Sequence, residues 1–335
     1  METRKNKVEK IKPLIVIGLI LFIGACSTAE KKSEPSAPFS EEVISTAEEQ
    51  GPPESFGPPV PEVQNVFGPE PIQLRPLTLI LGPGLARGFA HAGVLQALEE
   101  NKIPVSAVIA CDVGAIVASA YTLNSTINAF EWALLRLKDD LFKPKKPIMS
   151  SIFKGPRDSD GKDLLEALNK VFDEKDLSDA KIPLLISLRE EGSDSIELVR
   201  RGSVAQATRA AVGMQGYMTA SSIDDKQFLS GCAMTPFPVN EAKKLFDSPV
   251  MIVDVSAGGK RAAFRKQEET FLLIKSARKI GETEVKEADL IIEPDVGDIG
   301  YLDFQKRMEV SFRGKNAIIN NIAKIRHLVG LPGQP

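Results

Sequence analysis

The 335-residue chain has few cysteines and little excess charge of either sign. Three cysteines are too few for a small domain held together by disulfides. The 42 basic and 45 acidic residues give a net charge of −3, which argues against nucleic acid as the main partner. Apolar residues make up 43% and charged residues 26%, as in ordinary globular proteins. The length allows one large domain or two modest ones.

The N-terminus has the pattern of a targeting signal. Five basic residues between Arg4 and Lys12 precede an apolar run at 14–25 (LIVIGLILFIGA), which is short for a membrane span. The run ends in Ile23-Gly24-Ala25-Cys26 and resembles the lipoprotein box of bacterial signal peptides. That resemblance implies that residues 1–25 are removed and that Cys26 is acylated, so the chain would be held to a membrane without spanning it. An uncleaved anchor is the alternative interpretation.

Residue 27 and the segment after it predict where the chain is located. By resemblance to Gram-negative sorting rules, Ser27 favours the periplasmic face of the outer membrane, within a bacterial cell envelope. Residues 26–76 are rich in Pro, Glu and Ser and have almost no apolar periodicity, which predicts a disordered tether. We expect the folded domain at 77–329 and a short tail at 330–335.

The folded part alternates strand and helix patterns, which predicts an α/β domain with a mainly parallel sheet. LTLILG and PVSAVIA are apolar strand patterns, each followed by a helix pattern. Small residues from Ala86 to Ala97 share one helix face, which suits close packing on a sheet. We expect Trp132 and its helix in the core, a loop over 142–162, and an amphipathic helix over 304–329. Lys143–Pro147 (KPKKP) is expected to be a solvated loop, with contact to anionic headgroups as the alternative.

Five segments in order resemble a patatin-like phospholipase domain. The first runs from LILGPGLARGFAHAGVLQALEE through a strand to ACDVGA, where the family has a glycine-rich loop and a Gly-Thr-Ser-x-Gly elbow. IPLLISLREEGSDSIELVRRGSVAQATRAAVGMQGYM, QFLSGCAMTPFPVN, VMIVDVS and DLIIEPDVGDIGYLDF resemble the later sections. The resemblance implies a three-layer α/β/α fold, acyl-ester hydrolysis by a Ser/Asp dyad, and no cofactor or metal.

The positions that match the family's dyad and oxyanion loop hold altered residues. Asp112 stands where the resemblance places the nucleophilic serine, and Ser230 stands where it places the aspartate. The elbow retains small residues at Ala110 and Gly114. In the oxyanion loop Gly84, Arg87 and Gly88 match the family pattern, whereas Pro83 and Leu85 replace glycines. Pro83 has no N–H to donate, and Leu85 is expected to narrow the approach. We expect the exchanged pair, Asp112 and Ser230, to lie within hydrogen-bond reach.

These changes leave three functional hypotheses. The first is a catalytically inactive or impaired homologue that acts by binding, with a lipid or acyl ester as the expected ligand. The second is a hydrolase with rearranged roles, either with Ser230 as nucleophile and Asp112 as base, or with Asp112 as nucleophile. The latter needs a histidine to hydrolyse its ester intermediate, and the chain has only His91 and His327. Local packing is the expected role of His91. The third is a structural envelope lipoprotein whose protein partner the sequence does not identify.

Cys111 and Cys232 flank the two dyad positions, Asp112 and Ser230, which the resemblance brings together. An oxidising envelope would allow a disulfide between them. Two small buried thiols are the alternative, and we expect that alternative, because bridging needs Cα atoms within about 7 Å.

Overall fold

A computed structural model describes residues 73–124, 126–142, 159–214, 217–256 and 268–332. Several predicted features lie outside these residues: the signal peptide, the lipidation site at Cys26, almost all of the tether, the tail beyond 332 and the lysine-rich loop at 143–147. None of the helices in the described ranges is long and apolar enough to cross a membrane.

Within the described residues, one sheet is built from eight strands in the order β5-β6-β3-β2-β1-β7-β8, with β4 also paired to β3. The strands are β1 Leu77–Leu81, β2 Val105–Ala110, β3 Leu184–Glu190, β4 Glu197–Val199, β5 Ser221–Ile223, β6 Lys226–Ser230, β7 Val250–Val253 and β8 Leu290–Ile292. The five-strand run from β3 to β8 is parallel, whereas β4, β5 and β6 form antiparallel pairs. The predicted α/β class with a mainly parallel sheet is confirmed.

Helices cover both faces of this sheet and make the three-layer arrangement that the sequence predicted. They are α1 Ala90–Glu100, α2 Asp112–Leu123, α3 Ile127–Leu135, α4 Lys162–Phe172, α5 Val204–Val212, α6 Val239–Leu245, α7 Glu268–Ile280, α8 Glu282–Val285 and α9 Arg307–Leu328. Single turns of 3-10 helix lie at 85–89, 139–142, 177–179, 231–233 and 304–306.

The two faces of the central strands bury side chains in two separate cores. Along β1, Leu77, Leu79 and Leu81 pack in the larger core, whereas Ile80 packs in the smaller core beside α6. Successive side chains of a strand point to opposite faces, so a strand covered on both faces has a continuous apolar sequence. This is why LTLIL shows no polar alternation.

Helices α1 and α9 pack at unusually short range through glycine. A Cβ at Gly93 would overlap the carbonyl oxygen of Ser311, and a Cβ at Gly314 would overlap that of Ala90. The expectation that the small residues of α1 serve packing on the sheet is therefore wrong for Gly93. The small face instead lets a second helix approach α1 closely.

Trp132 also departs from the sequence-based expectation. It lies on the outer side of α3 with 67% of its surface exposed, while Phe130, Ala133 and Leu134 are buried. The polar residues Asn128 and Glu131 lie on the same side of α3 as Trp132, so the helical period of the sequence already marks this face as the exposed one. The β5–β6 hairpin and α7 were not predicted either.

Candidate active site

The candidate site is built around a sharp turn from β2 into α2. Strand β2 ends at Ala110, Cys111 is extended, and Asp112 begins α2 with a φ of +51°. A non-glycine residue in this left-handed region is uncommon, although aspartate tolerates it better than most residues. A strained strand-to-helix turn of this kind presents one side chain at the end of the sheet. That side chain is Asp112, as predicted.

The Asp112 carboxylate is held by the loop that follows β1. Its Oδ2 accepts hydrogen bonds from the backbone N–H of Gly84, at 2.9 Å, and of Leu85, at 2.6 Å. These are the amides that the predicted oxyanion loop would offer to a negatively charged oxygen. The absence of an N–H at Pro83 therefore does not remove the donor pair. Both N–H groups instead donate to Oδ2 of Asp112.

Leu85 contributes to this arrangement through its backbone. Its φ of +46° places it in the left-handed region, and its side chain is fully buried in the larger core. Such a conformation costs free energy for a branched residue and persists when the surroundings fix it. The loop thus keeps an amide aimed at Asp112 although leucine replaces a glycine.

Burial determines the electrostatics of Asp112. The residue is completely buried, and desolvation raises the pKa of its carboxyl above the ordinary value. The amides of Gly84, Leu85 and Val113 act in the opposite direction and lower it, but burial is the largest cause. Its second oxygen, Oδ1, has no hydrogen-bond partner among the described residues. The carboxyl is thus a poorly solvated group in a closed site.

Ser230 ends β6 and lies close to the elbow in the fold, but it does not bond to Asp112. Its N–H donates to the carbonyl of Gly213 at 2.7 Å, while its hydroxyl is buried and has no partner in the described part of the chain. The expected hydrogen bond between the exchanged residues is therefore wrong. Asp112 binds two amides of the opposite loop and leaves the Ser230 hydroxyl unpaired.

A disulfide joins the elbow to the loop after β6. Cys111 and Cys232 are bonded, with Cα atoms 6.0 Å apart. The expectation of two separate small thiols is therefore wrong, because their backbones lie within bridging range. The bond links the residue before Asp112 to the second residue after Ser230, so the two loops are connected covalently where no dyad hydrogen bond connects them.

Arg87 and Gly88 have structural roles in the loop. The buried guanidinium of Arg87 donates to the carbonyls of Ile299, at 2.7 Å, and Gly297, at 3.1 Å, and stacks 4.1 Å from the ring centre of Tyr301. A Cβ at Gly88 would lie 3.0 Å from Cβ of Val113, so glycine lets the loop approach the start of α2.

His91 packs behind the elbow. Burial lowers its pKa to about 4, so the ring is neutral at pH 7. Nε2 lies 2.9 Å from the carbonyl oxygen of Gly82, and a neutral ring can bind a carbonyl only if Nε2 carries the proton. A Cβ at Gly114 would lie 3.1 Å from the ring, which explains the small residue there. His327 lies in the last turn of α9.

Sequence reasoning missed two tyrosines near the site. The hydroxyl of Tyr217 donates to the carbonyl of Phe142, and burial with the nearby charge of Asp112 raises its pKa well above the usual value. Tyr301 donates to the carbonyl of Ser256 at 3.1 Å, and its pKa is raised by burial first. Both tyrosines lie in segments that resemble the family, but the resemblance assigned neither of them a role. Across the described ranges, no cluster of three or more His, Cys, Asp or Glu could hold a metal ion.

Comparison with known proteins identifies related sequences. Residues 79–243 match the family described as patatin-like phospholipase. The mouse patatin-like phospholipase domain-containing protein 6 is 23% identical over 188 residues, which are 54% of this chain and 14% of that protein. Lysophospholipase NTE1 of Cryptococcus neoformans is 23% identical over 179 residues, which are 53% of this chain and 11% of that protein. The chain thus matches only a small part of these relatives.

Two solved structures are also similar. VipD from Legionella pneumophila matches with a TM-score of 0.44 and 12% identity, over 74% of this chain and 66% of that one. The type III effector ExoU matches with a TM-score of 0.39 and 12% identity, over 75% of this chain and 53% of that one.

Proposed function

The chain carries a patatin-like phospholipase domain, and from that premise we propose that it is a membrane-tethered lipoprotein whose hydrolase site is silent. In this account the domain acts by binding. Catalysis of acyl-ester hydrolysis needs a nucleophile on the elbow and an open oxyanion hole. The chain offers neither, because a carboxylate replaces the serine and also occupies the amides of the hole.

The observation that carries the proposal is the pair of hydrogen bonds from Gly84 and Leu85 to Asp112. A substrate oxygen that becomes negative in the transition state would need those same two donors. Removal of one such donor from a working hydrolase commonly slows it by about 10²–10³-fold. Occupation of both donors by an internal carboxylate blocks the largest single source of catalysis.

A rearranged dyad has less support from the geometry. Ser230 as nucleophile would need Asp112 as its base, but the two side chains are not hydrogen-bonded to each other. The hydroxyl of Ser230 has no hydrogen-bond partner among the described residues, so no base is positioned to take its proton. Asp112 as nucleophile would need a base for the second step, and the buried His91 ring is directed to Gly82.

A gain-of-function experiment tests the proposed cause of the lack of hydrolase activity. Asp112→Ser with Ser230→Asp restores the family's residues and frees the two amides, so we expect this double variant to hydrolyse a short-chain nitrophenyl ester that the wild type leaves intact. Asp112→Ser alone is the matched control, since it frees the amides without restoring a base. Equal turnover by the wild type and the double variant would contradict the proposal.

Attachment to the membrane is tested separately. Cys26→Ala removes the only acylation site in the lipoprotein box, and we expect the variant to leave the membrane fraction on alkaline washing. Retention of the variant would favour the uncleaved anchor at residues 14–25.

A further inference from the structure

We propose that the outer faces of α3 and α9 dock on the surface of the membrane that holds the lipid anchor. This inference rests on the tether of the proposed function and names the surface through which the domain binds. The surface consists of Trp132 and Leu135 on α3 and Met308, Phe312 and Ile319 on α9, and we call it the α3/α9 patch.

Helix α9 has two apolar faces where packing on the domain requires one. Val310, Gly314, Ile318 and Ile325 are buried against the domain. Met308, Phe312 and Ile319 are 69%, 63% and 46% exposed. At about 100° per residue these three positions fall on one side of the helix, well away from the buried face. The second apolar face is therefore an ordered stripe along the outer side of α9.

The end of α3 is anchored at the start of α9. Arg307, the first residue of α9, donates to the carbonyl of Leu137 at 2.6 Å and pairs with Asp139 at 2.8 Å, which holds the end of α3 against the start of α9. Trp132 and Leu135 face outward there and are 67% and 50% exposed. An exposed tryptophan and an exposed apolar stripe are both typical of helices that lie in the membrane interface.

The acidic groups near the patch are offset in part. Glu100 of α1 pairs with Lys315 of α9 at 2.7 Å. Glu131 accepts a hydrogen bond at 2.6 Å from the uncharged amide of Gln96. Farther along α9, Lys324 and Arg326 add positive charge at the end where the chain enters the domain. Such cations favour a negatively charged lipid surface.

The position of the tether selects the membrane as the occupant. The N–H of Arg75 donates to the carbonyl of Val329 at 3.1 Å, so the chain enters the domain beside the end of α9. Helix α9 is about 33 Å long, and a flexible chain of the length of residues 26–72 spans roughly 40 Å. The predicted tether can therefore lay the whole stripe on the bilayer, and it keeps that bilayer at high effective concentration. A diffusing protein partner has no such advantage.

The single tryptophan of the chain reports directly on this docking. The lipid-modified full-length chain is reconstituted in vesicles of phosphatidylethanolamine and phosphatidylglycerol (3:1), with or without brominated acyl chains. We expect the emission of Trp132 to shift to shorter wavelength, to lose intensity with brominated lipid, and to be protected from iodide in the aqueous phase.

Two charge substitutions separate docking from tethering. Phe312→Glu places a charge in the stripe but leaves Trp132 and Cys26 intact, so the variant should stay with the vesicles and lose the bromine quenching. Ile280→Glu is the matched control, because Ile280 is 71% exposed on α7 and lies outside the patch. It should retain the wild-type quenching. Circular dichroism confirms that both variants are folded.

Three results would overturn the inference. Iodide access equal to that of the detergent-solubilised chain, with the protein still bound to vesicles, would reject docking and leave the tether standing. Protection of Trp132 from iodide without bromine quenching would show that a protein or a second copy covers the patch. A chain that does not sediment with vesicles would reject the tether, and docking with it.

Discussion

Removal of the Cys111–Cys232 disulfide should destabilise the domain strongly. The bond closes a loop across a sequence separation of 121 residues. In the chain-entropy account, a cross-link over a loop of this length stabilises the folded state by about 5 kcal/mol, by restricting the unfolded chain. A whole domain is commonly stable by about 5–15 kcal/mol, so this contribution is a large part of the total. We expect Cys111→Ala with Cys232→Ala to lower the free energy of unfolding by several kcal/mol in urea titrations.

Reduction of the wild type with a dithiol provides the internal control. It should destabilise the wild type by a similar amount and leave the double variant unchanged. Alkylation of the denatured chain counts the thiols at Cys111 and Cys232. If both thiols react before reduction, or if reduction leaves the unfolding midpoint of the wild type unchanged, the bond does not stabilise the domain as argued.

The remaining predictions concern buried groups. Burial lowers the pKa of His91 to about 4 in the folded state, against 6.5 for the free side chain. As the pH falls below 6.5 the unfolded chain therefore takes up a proton that the folded protein does not. About 3 kcal/mol of stability is lost by the time the pH has fallen through 4. Urea titrations across this range should show that loss for the wild type and not for His91→Gln. Asp112 has a raised pKa, so the wild type should gain stability relative to Asp112→Asn as the pH falls from neutrality toward about 4. Gly93→Ala should destabilise the folded domain by about 1–3 kcal/mol or more, because the added Cβ overlaps Ser311. The thermal midpoint of the variant should fall accordingly.

The sequence predicted the parts of the fold that depend on local pattern. The apolar strands β1 and β2, each followed by a helix, indicated parallel packing because a strand–helix–strand crossover returns the chain in the same direction. The elbow at Asp112 followed from the same pattern. The family resemblance then indicated which loops meet. These inferences use residues that are close together in the chain or in a known motif.

The interactions of side chains across the site were harder to predict. The exchange of residues at Asp112 and Ser230 suggested a hydrogen bond between them, but Oδ2 of the carboxylate binds two amides of the β1 loop and Oδ1 has no partner among the described residues. The two aligned N–H donors orient the carboxyl, and the types of the two exchanged residues do not reveal that orientation. The burial of Trp132 was predicted from its apolar character, although Asn128 and Glu131 share its side of α3 and mark that side as exposed.

Hydrolysis of a short-chain nitrophenyl ester tests the central claim most directly. The wild type, Asp112→Ala and Ser230→Ala are compared at equal concentration, with folding verified by urea titration. Because the Asp112 carboxylate occupies both loop amides and the elbow has no serine, we expect the wild type to show no activity above either alanine variant. Turnover by the wild type that both substitutions abolish would contradict the account and establish a rearranged dyad.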